Sequence, residues 1–166
     1  MVYKKISIRK NYSYNTLKPR LVRIEDEKLL LDWANDPLVR ANALNKKNIS
    51  SETHHTWFNS RLQKPESCKI LIIENEKEIP VGQVRIEKKN NKWFIDFSLA
   101  KFARGKKIGS KLLKVAITRF KKMGIKVFFA EVKSDNKASC RVFEKNKFEK
   151  KTTFKRNLIN FIYKNK

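Results

Sequence analysis

One short stretch, Arg104-Gly105-Lys106-Lys107-Ile108-Gly109-Ser110, places cations and glycines directly ahead of an amphipathic run. Backbone N–H groups at a helix start lack intrahelical partners and sit at the positive end of the helix dipole, which suits a diphosphate. Gly105 and Gly109 let a ligand approach the main chain, and Lys106 and Lys107 add positive charge. The spacing fits neither a Walker loop nor a dinucleotide fingerprint. Two glycines before a helix also make an ordinary turn, so the pattern alone leaves both readings open.

Strands and helices must carry that loop. Leu21-Val22-Arg23-Ile24 reads as a short strand, and Glu25-Asp26-Glu27 puts acid at the start of a helix bearing Leu29, Leu30 and Trp33. Asn35-Asp36-Pro37 stops it. A second helix begins near Ser50 or Ser51, carries Trp57, Phe58 and Leu62 on one side, and ends before Pro65. Strands follow at 68–74 and 81–87. A turn at Asn90-Asn91 leads into the alternating strand 93–99. From Ile108 the apolar residues Leu112, Leu113, Ala116, Ile117, Phe120 and Met123 recur at helical spacing, and Gly124 closes the helix. A strand at 127–132, a short helix at 136–146 and strands near 148–154 and 158–163 complete one mixed α/β domain, 19–166. Residues 1–18, basic and without a clear period, read as an extension ahead of it.

The chain has 166 residues, enough for one domain with a real core. Its formal charge of +24 points to a polyanionic partner: nucleic acid, an anionic membrane surface or a phosphorylated small molecule. Solvated lysine faces account for the charge equally well. Lysines lie on nearly every element and no RNA or DNA signature accompanies them, which argues against nucleic acid. No apolar run is long enough to span a bilayer, and the first residues lack a signal-peptide core, so the expected setting is cytoplasmic with no membrane partner. Cys68 and Cys140 are far apart without metal-type spacing, so neither a disulfide framework nor a metal site is expected.

The loop resembles the acetyl-CoA motif of the GNAT superfamily of N-acetyltransferases, Arg/Gln-x-x-Gly-x-Gly/Ala. Arg104, Ile108 and Gly109 match it, with Lys107 where the middle Gly is usual. The segment Asn136-Lys137-Ala138-Ser139-Cys140-Arg141-Val142-Phe143 through Phe148 is similar to the family's Asn-x-x-Ser…Tyr/Phe-x-Lys-x-Gly-Phe segment, with Lys147 at the Gly. The resemblance implies a central, mostly antiparallel splayed sheet flanked by helices, with acetyl-CoA as co-substrate. Ser98, Leu99 and Ala100 would meet the pantetheine arm, residues 104–110 the diphosphate, and Asn136, Ser139 and Phe143 the thiol end. Asn136 also suits a helix N-cap. Many relatives have Tyr at position 143 as proton donor to the departing sulfur, a role Phe cannot fill.

A narrower resemblance rests on three segments: Leu31-Asp32-Trp33-Ala34-Asn35-Asp36-Pro37-Leu38-Val39-Arg40, Glu52-Thr53-His54-His55-Thr56-Trp57-Phe58, and Pro80-Val81-Gly82-Gln83-Val84-Arg85. These are similar to acetyltransferases acting on UDP-linked 4-amino-4,6-dideoxy sugars, some of them fused to a nucleotide-sugar hydrolase. The first segment also occurs in acetyltransferases of ribosomal-protein N-termini. The implied acceptor is a small-molecule primary amine, with a nucleotide-linked amino sugar preferred over a protein N-terminus. Trp33 and Trp57 would face a sugar or uracil ring, or pack in the core. Arg40 and Arg85 would clamp the diphosphate, or form surface ion pairs. The sequence leaves a homodimer open.

In the implied reaction a neutral amine attacks the thioester directly. Deprotonating an amine with a pKa near ~8 costs only about 1 kcal/mol at pH 7, against roughly 4 to 5 for a Lys amine near ~10.4. A weak base then suffices. Asp96 and Glu131 on central strands are candidates. His54 is a third, at the rim of the site as substrate ligand or proton acceptor, or else a polar residue on a helix surface.

Overall fold

Alternation of apolar and polar residues builds seven strands into one sheet. The computed structural model describes residues 12–43, 45–151 and 157–164. The elements run β1 (Leu17–Leu21), a 3-10 turn (Ile24–Asp26), α1 (Glu27–Ala34), α2 (Pro37–Asn42), α3 (Ser51–Leu62), β2 (Cys68–Asn75), β3 (Pro80–Lys89) and β4 (Lys92–Leu99). A second 3-10 turn (Lys101–Ala103) leads to α4 (Gly109–Lys122), β5 (Val127–Lys133), α5 (Lys137–Lys145), β6 (Glu149–Lys151) and β7 (Leu158–Lys164). The sheet order is β1-β2-β3-β4-β5-β7-β6. All neighbours are antiparallel except β4 and β5. The expected mixed α/β fold with a mostly antiparallel sheet is therefore present.

Three local expectations shift. The first strand lies N-terminal to Leu21-Ile24: Leu17–Leu21 pairs with β2, from Leu17 opposite Asn75 to Leu21 opposite Leu71. Pro19 is tolerated because β1 is an edge strand. Ile24 is instead drawn into a turn, because the Asp26 carboxylate accepts the Arg23 N–H at 2.7 Å and a forked pair of Arg20 N–H groups at 2.7 and 2.8 Å. The second shift is α2. Asn35-Asp36-Pro37 stops one helix and starts another, with Asp36 as N-cap and Pro37 at the first helical position. The third is β6, which covers only Glu149–Lys151; residues 152–154 of that expected strand lie outside the described residues, as do 1–11 of the expected extension. The turn at Asn90 and Asn91 is as read, both residues taking positive φ (47° and 59°) to close the β3–β4 hairpin.

Two apolar layers hold the sheet. On one face α4 buries Leu112, Leu113, Ala116, Ile117 and Phe120 against Val84, Ile86, Ile95, Phe128 and Ala130. On the other, Leu30 of α1 and Phe58 of α3 pack on Ile70 and Ile72 of β2. Gly82 permits close packing between the first layer and the sheet: a Cβ there would sit 2.5 Å from the Ser98 carbonyl oxygen and 2.7 Å from a Leu112 methyl.

Candidate active site

The loop between β4 and α4 is built from backbone. Gly105 and Lys107 both take positive φ, 73° and 59°. Lys107 thus keeps the left-handed conformation that glycine would adopt freely, at roughly 1–2 kcal/mol. No side chain caps α4, and its first turn contains no acid. Its first N–H groups therefore meet no side-chain cap, and a diphosphate fits that end. Gly109 allows α4 to start close to α5, since a Cβ there would approach a Val142 methyl at 3.2 Å. Asn146 ties the two helices, donating to both the carbonyl and the Oγ of Ser110 at 3.1 Å. Lys111, in the first turn, donates to the carbonyls of Tyr14 and Asn15.

Arg104 turns away from the loop. Its Nε donates to the Leu99 carbonyl at 3.1 Å, and its Nη1 to Asp36 Oδ1 at 2.8 Å. Asp36 is partly desolvated, which alone would raise its pKa, but the Arg104 guanidinium and the Leu38 and Val39 N–H groups hold it below the ordinary carboxylate value.

An opening adjoins this loop. β4 and β5 register only at Phe94 and Phe129. Beyond that pair, residues 95–99 and 130–133 do not pair with each other, and the two rings lie 5.8 Å apart on the face opposite α4. Side chains alternate along a strand, so Asp96 and Ser98 follow Phe94 on that face, and Glu131 and Lys133 follow Phe129. The structure thus brings Asp96 and Glu131 to the two walls of one opening. Asp96 Oδ2 accepts two N–H groups of Arg85, at 2.6 and 3.0 Å. Glu131 is exposed.

Several expected site residues lie elsewhere. His54 is only 2% exposed, its ring 5.9 Å from Phe58 and 5.3 Å from Trp57. It belongs to the layer beneath α3, neither at a rim nor on a surface, because its helix turns that face to β2. Burial pushes its pKa below the ordinary imidazole value, while Glu27 acts the other way. Arg40 is folded onto its own loop, donating to the carbonyls of Ala34 (2.5 Å), Asn45 (3.3 Å) and Lys47 (3.4 Å), so it is no diphosphate clamp. Arg85 is held by Asp96 and lies over the Trp57 ring at 5.3 Å. Trp33 packs against both apolar layers, the core alternative stated for it.

At the far end, Phe143 is a core ring, 2% exposed, with ring centroids 5.5, 4.9 and 5.5 Å from Phe97, Phe148 and Phe161. It does not line a surface. Asn136 caps α5, accepting the Ser139 N–H at 3.1 Å. Ser98 Oγ accepts from Gln83 at 3.4 Å, and the Ala100 N–H donates to Val81 at 2.9 Å. Sequence reasoning missed Asp36, read as a helix stop, and Lys133, whose Nζ donates to the carbonyls of Ala41 (3.1 Å) and Ala43 (2.6 Å). The Asp-Pro pair was a legible sign of the first as a cap; nothing local marked the second.

An uncapped helix start behind a glycine–lysine loop thus lies beside a gap between two parallel strands. The family model described as the acetyltransferase (GNAT) domain matches residues 17–149, and the chain belongs to that family. It is similar to protein MJ1062 of Methanocaldococcus jannaschii, 28% identical over 134 residues; the match covers 79% of the chain and 28% of that relative. The chain thus spans just over a quarter of the length of the curated relative it matches. In fold it is similar to a domain from the same archaeon (24% identity, TM-score 0.77, 90% of this chain and 98% of that one). It is also similar to spermidine N-acetyltransferase from Vibrio cholerae in complex with CoA and spermine (13% identity, TM-score 0.78, 89% and 95%). No helix among the described residues is long and apolar enough to cross a membrane.

Proposed function

We propose that this N-acetyltransferase moves acetyl from acetyl-CoA to the primary amine of a small molecule, and that the 4-amino group of a UDP-linked 4-amino-4,6-dideoxy sugar is its acceptor. The observation that carries the transfer reading is the uncapped, acid-free start of α4 beside the unpaired ends of β4 and β5. Gly105 to Ser110 hold the diphosphate through backbone N–H groups, with Lys106 and Lys107 adding charge. Acetyl-CoA supplies the activated acyl group.

The amine approaches from the face of Asp96 and Glu131. Glu131, exposed on β5, takes the ammonium proton, directly or through water. A thiol of pKa near ~8.5 leaves as thiolate at about 2 kcal/mol at pH 7, so the missing phenol at Phe143 needs no replacement.

The sugar reading is supported by the motif set around Trp33, His54 and Arg85, and by the extra length of the curated relative, which accommodates a second domain as in the fused versions. Because Arg40 and Arg85 are engaged internally, a sugar nucleotide's diphosphate must be held by other groups. The test is CoA release with the UDP-linked amino sugar, spermine and a ribosomal-protein N-terminal peptide as acceptors. Fastest turnover with the sugar supports the reading. Turnover with spermine or the peptide alone replaces it.

A further inference from the structure

The helix that sequence reasoning missed stands where the two unpaired strands end. Asp36 caps the start of α2 by accepting the N–H groups of Leu38 (3.0 Å) and Val39 (3.3 Å), and the same carboxylate oxygen receives Arg104 at 2.8 Å. Arg104 in turn is bound to Leu99, the last residue of β4. At the other end, Lys133, the last residue of β5, reaches the carbonyls of Ala41 and Ala43 at 3.1 and 2.6 Å. A cation there also suits the negative end of the helix dipole. Six helical residues span about 9 Å, whereas paired strands lie only ~4.8 Å apart. The length of α2 therefore matches an opening wider than a paired ladder, and each end is fixed to a different wall.

We propose that α2 is a strap across the mouth of the β4–β5 opening, and that Lys133 is a positioning residue for the acceptor amine, acting through α2 rather than on substrate. This rests on the acceptor entering from that face, as proposed above. Arg104 ties the strap to the cofactor loop, while Lys133 ties it to the wall that carries Glu131. Removing Lys133 frees the C-terminal end of α2 without touching the loop around Gly105 to Ser110.

The variant Lys133→Met keeps the aliphatic stem and removes the charge. Three readouts separate a strap from a general structural role: amide exchange along α2, acetyl-CoA affinity, and the KM and kcat for the UDP-linked amino sugar. The expected result is about tenfold faster exchange of the Arg40 and Ala43 amides and about tenfold higher acceptor KM, with acetyl-CoA affinity and kcat nearly unchanged. Lys133→Arg, which keeps the donor, restores both. Unchanged α2 exchange overturns the proposal, as does an acetyl-CoA affinity that falls as far as acceptor binding. If Lys133→Met fails to fold, Lys133→Gln with Lys133→Arg makes the same comparison. Faster α2 exchange without CoA release from any acceptor supports the strap and overturns the acceptor reading instead.

Discussion

The two sides of the active site use charge differently. Residues 25–96, which supply α1 to α3 and β2 to β4, carry 12 basic and 12 acidic residues, whereas residues 97–166 carry 21 basic and 4 acidic. On the first side several of the cations form ion pairs with acids of the same side: Lys28 with Asp32, Arg61 with Glu87, and Arg85 with Asp96. On the second, α4 has five cations and no acid. Most of the bulk charge of +24 therefore falls in residues 97–166, and the rest in residues 1–24. A strongly positive surface around the loop suits the proposed polyanionic cofactor, while the charge-balanced side suits selection of the proposed acceptor by shape and local hydrogen bonds. Arg104 and Asp36 form the ion pair that joins them.

The largest break in that comparison is chemical. Glu131→Gln is expected to lower kcat by about 10²–10⁴ while leaving acetyl-CoA affinity intact, as measured by steady-state CoA release and calorimetry. Asp96→Asn should cost less, since its paired oxygen is already committed. Next comes the link itself. Arg104→Gln removes hydrogen bonds from a charged donor, each worth about 1.5–3 kcal/mol, and should lower both melting temperature and acetyl-CoA affinity. Loss of stability with unchanged affinity would mean that the two sides are joined only structurally.

Smaller effects sharpen the contrast. Raising ionic strength from about 0.05 to 0.5 M should raise KM for acetyl-CoA several-fold and leave acceptor KM less affected, because salt screens the long-range field of an excess of like charge. The smallest effect is at His54. Its pKa is depressed in the fold, so below its ordinary value of 6.5 the unfolded chain binds a proton that the folded chain resists. Stability is therefore full above that pH and declines as pH falls through it, and His54→Leu should flatten the decline in a melting-temperature series.

The cofactor side was the more legible of the two in sequence because its signal is local. Loop, glycines and the apolar stripe of α4 follow one another within 20 residues, and periodicity alone fixes the helix. Asp96 and Glu131 were legible as strand carboxylates, but their meeting at one opening depends on a parallel β4–β5 register that no local pattern encodes. His54 departs from both of its expected positions for a related reason. A helix such as α3 mixes polar and apolar residues on the face it buries, so burial there is decided by β2 across the interface. Arg40 illustrates a third limit, since a guanidinium aimed at nearby carbonyls has the same sequence as one aimed at a ligand.

The central claim is that backbone groups at the start of α4 hold the cofactor. Its most direct test is titration of the isotope-labelled protein with acetyl-CoA while following backbone amide resonances. The account predicts the largest shifts at Gly105, Lys107, Gly109 and Ser110, with little change at Trp57 and its neighbours in α3. Shifts concentrated on α3, or binding that leaves the α4 start unmoved, would contradict it.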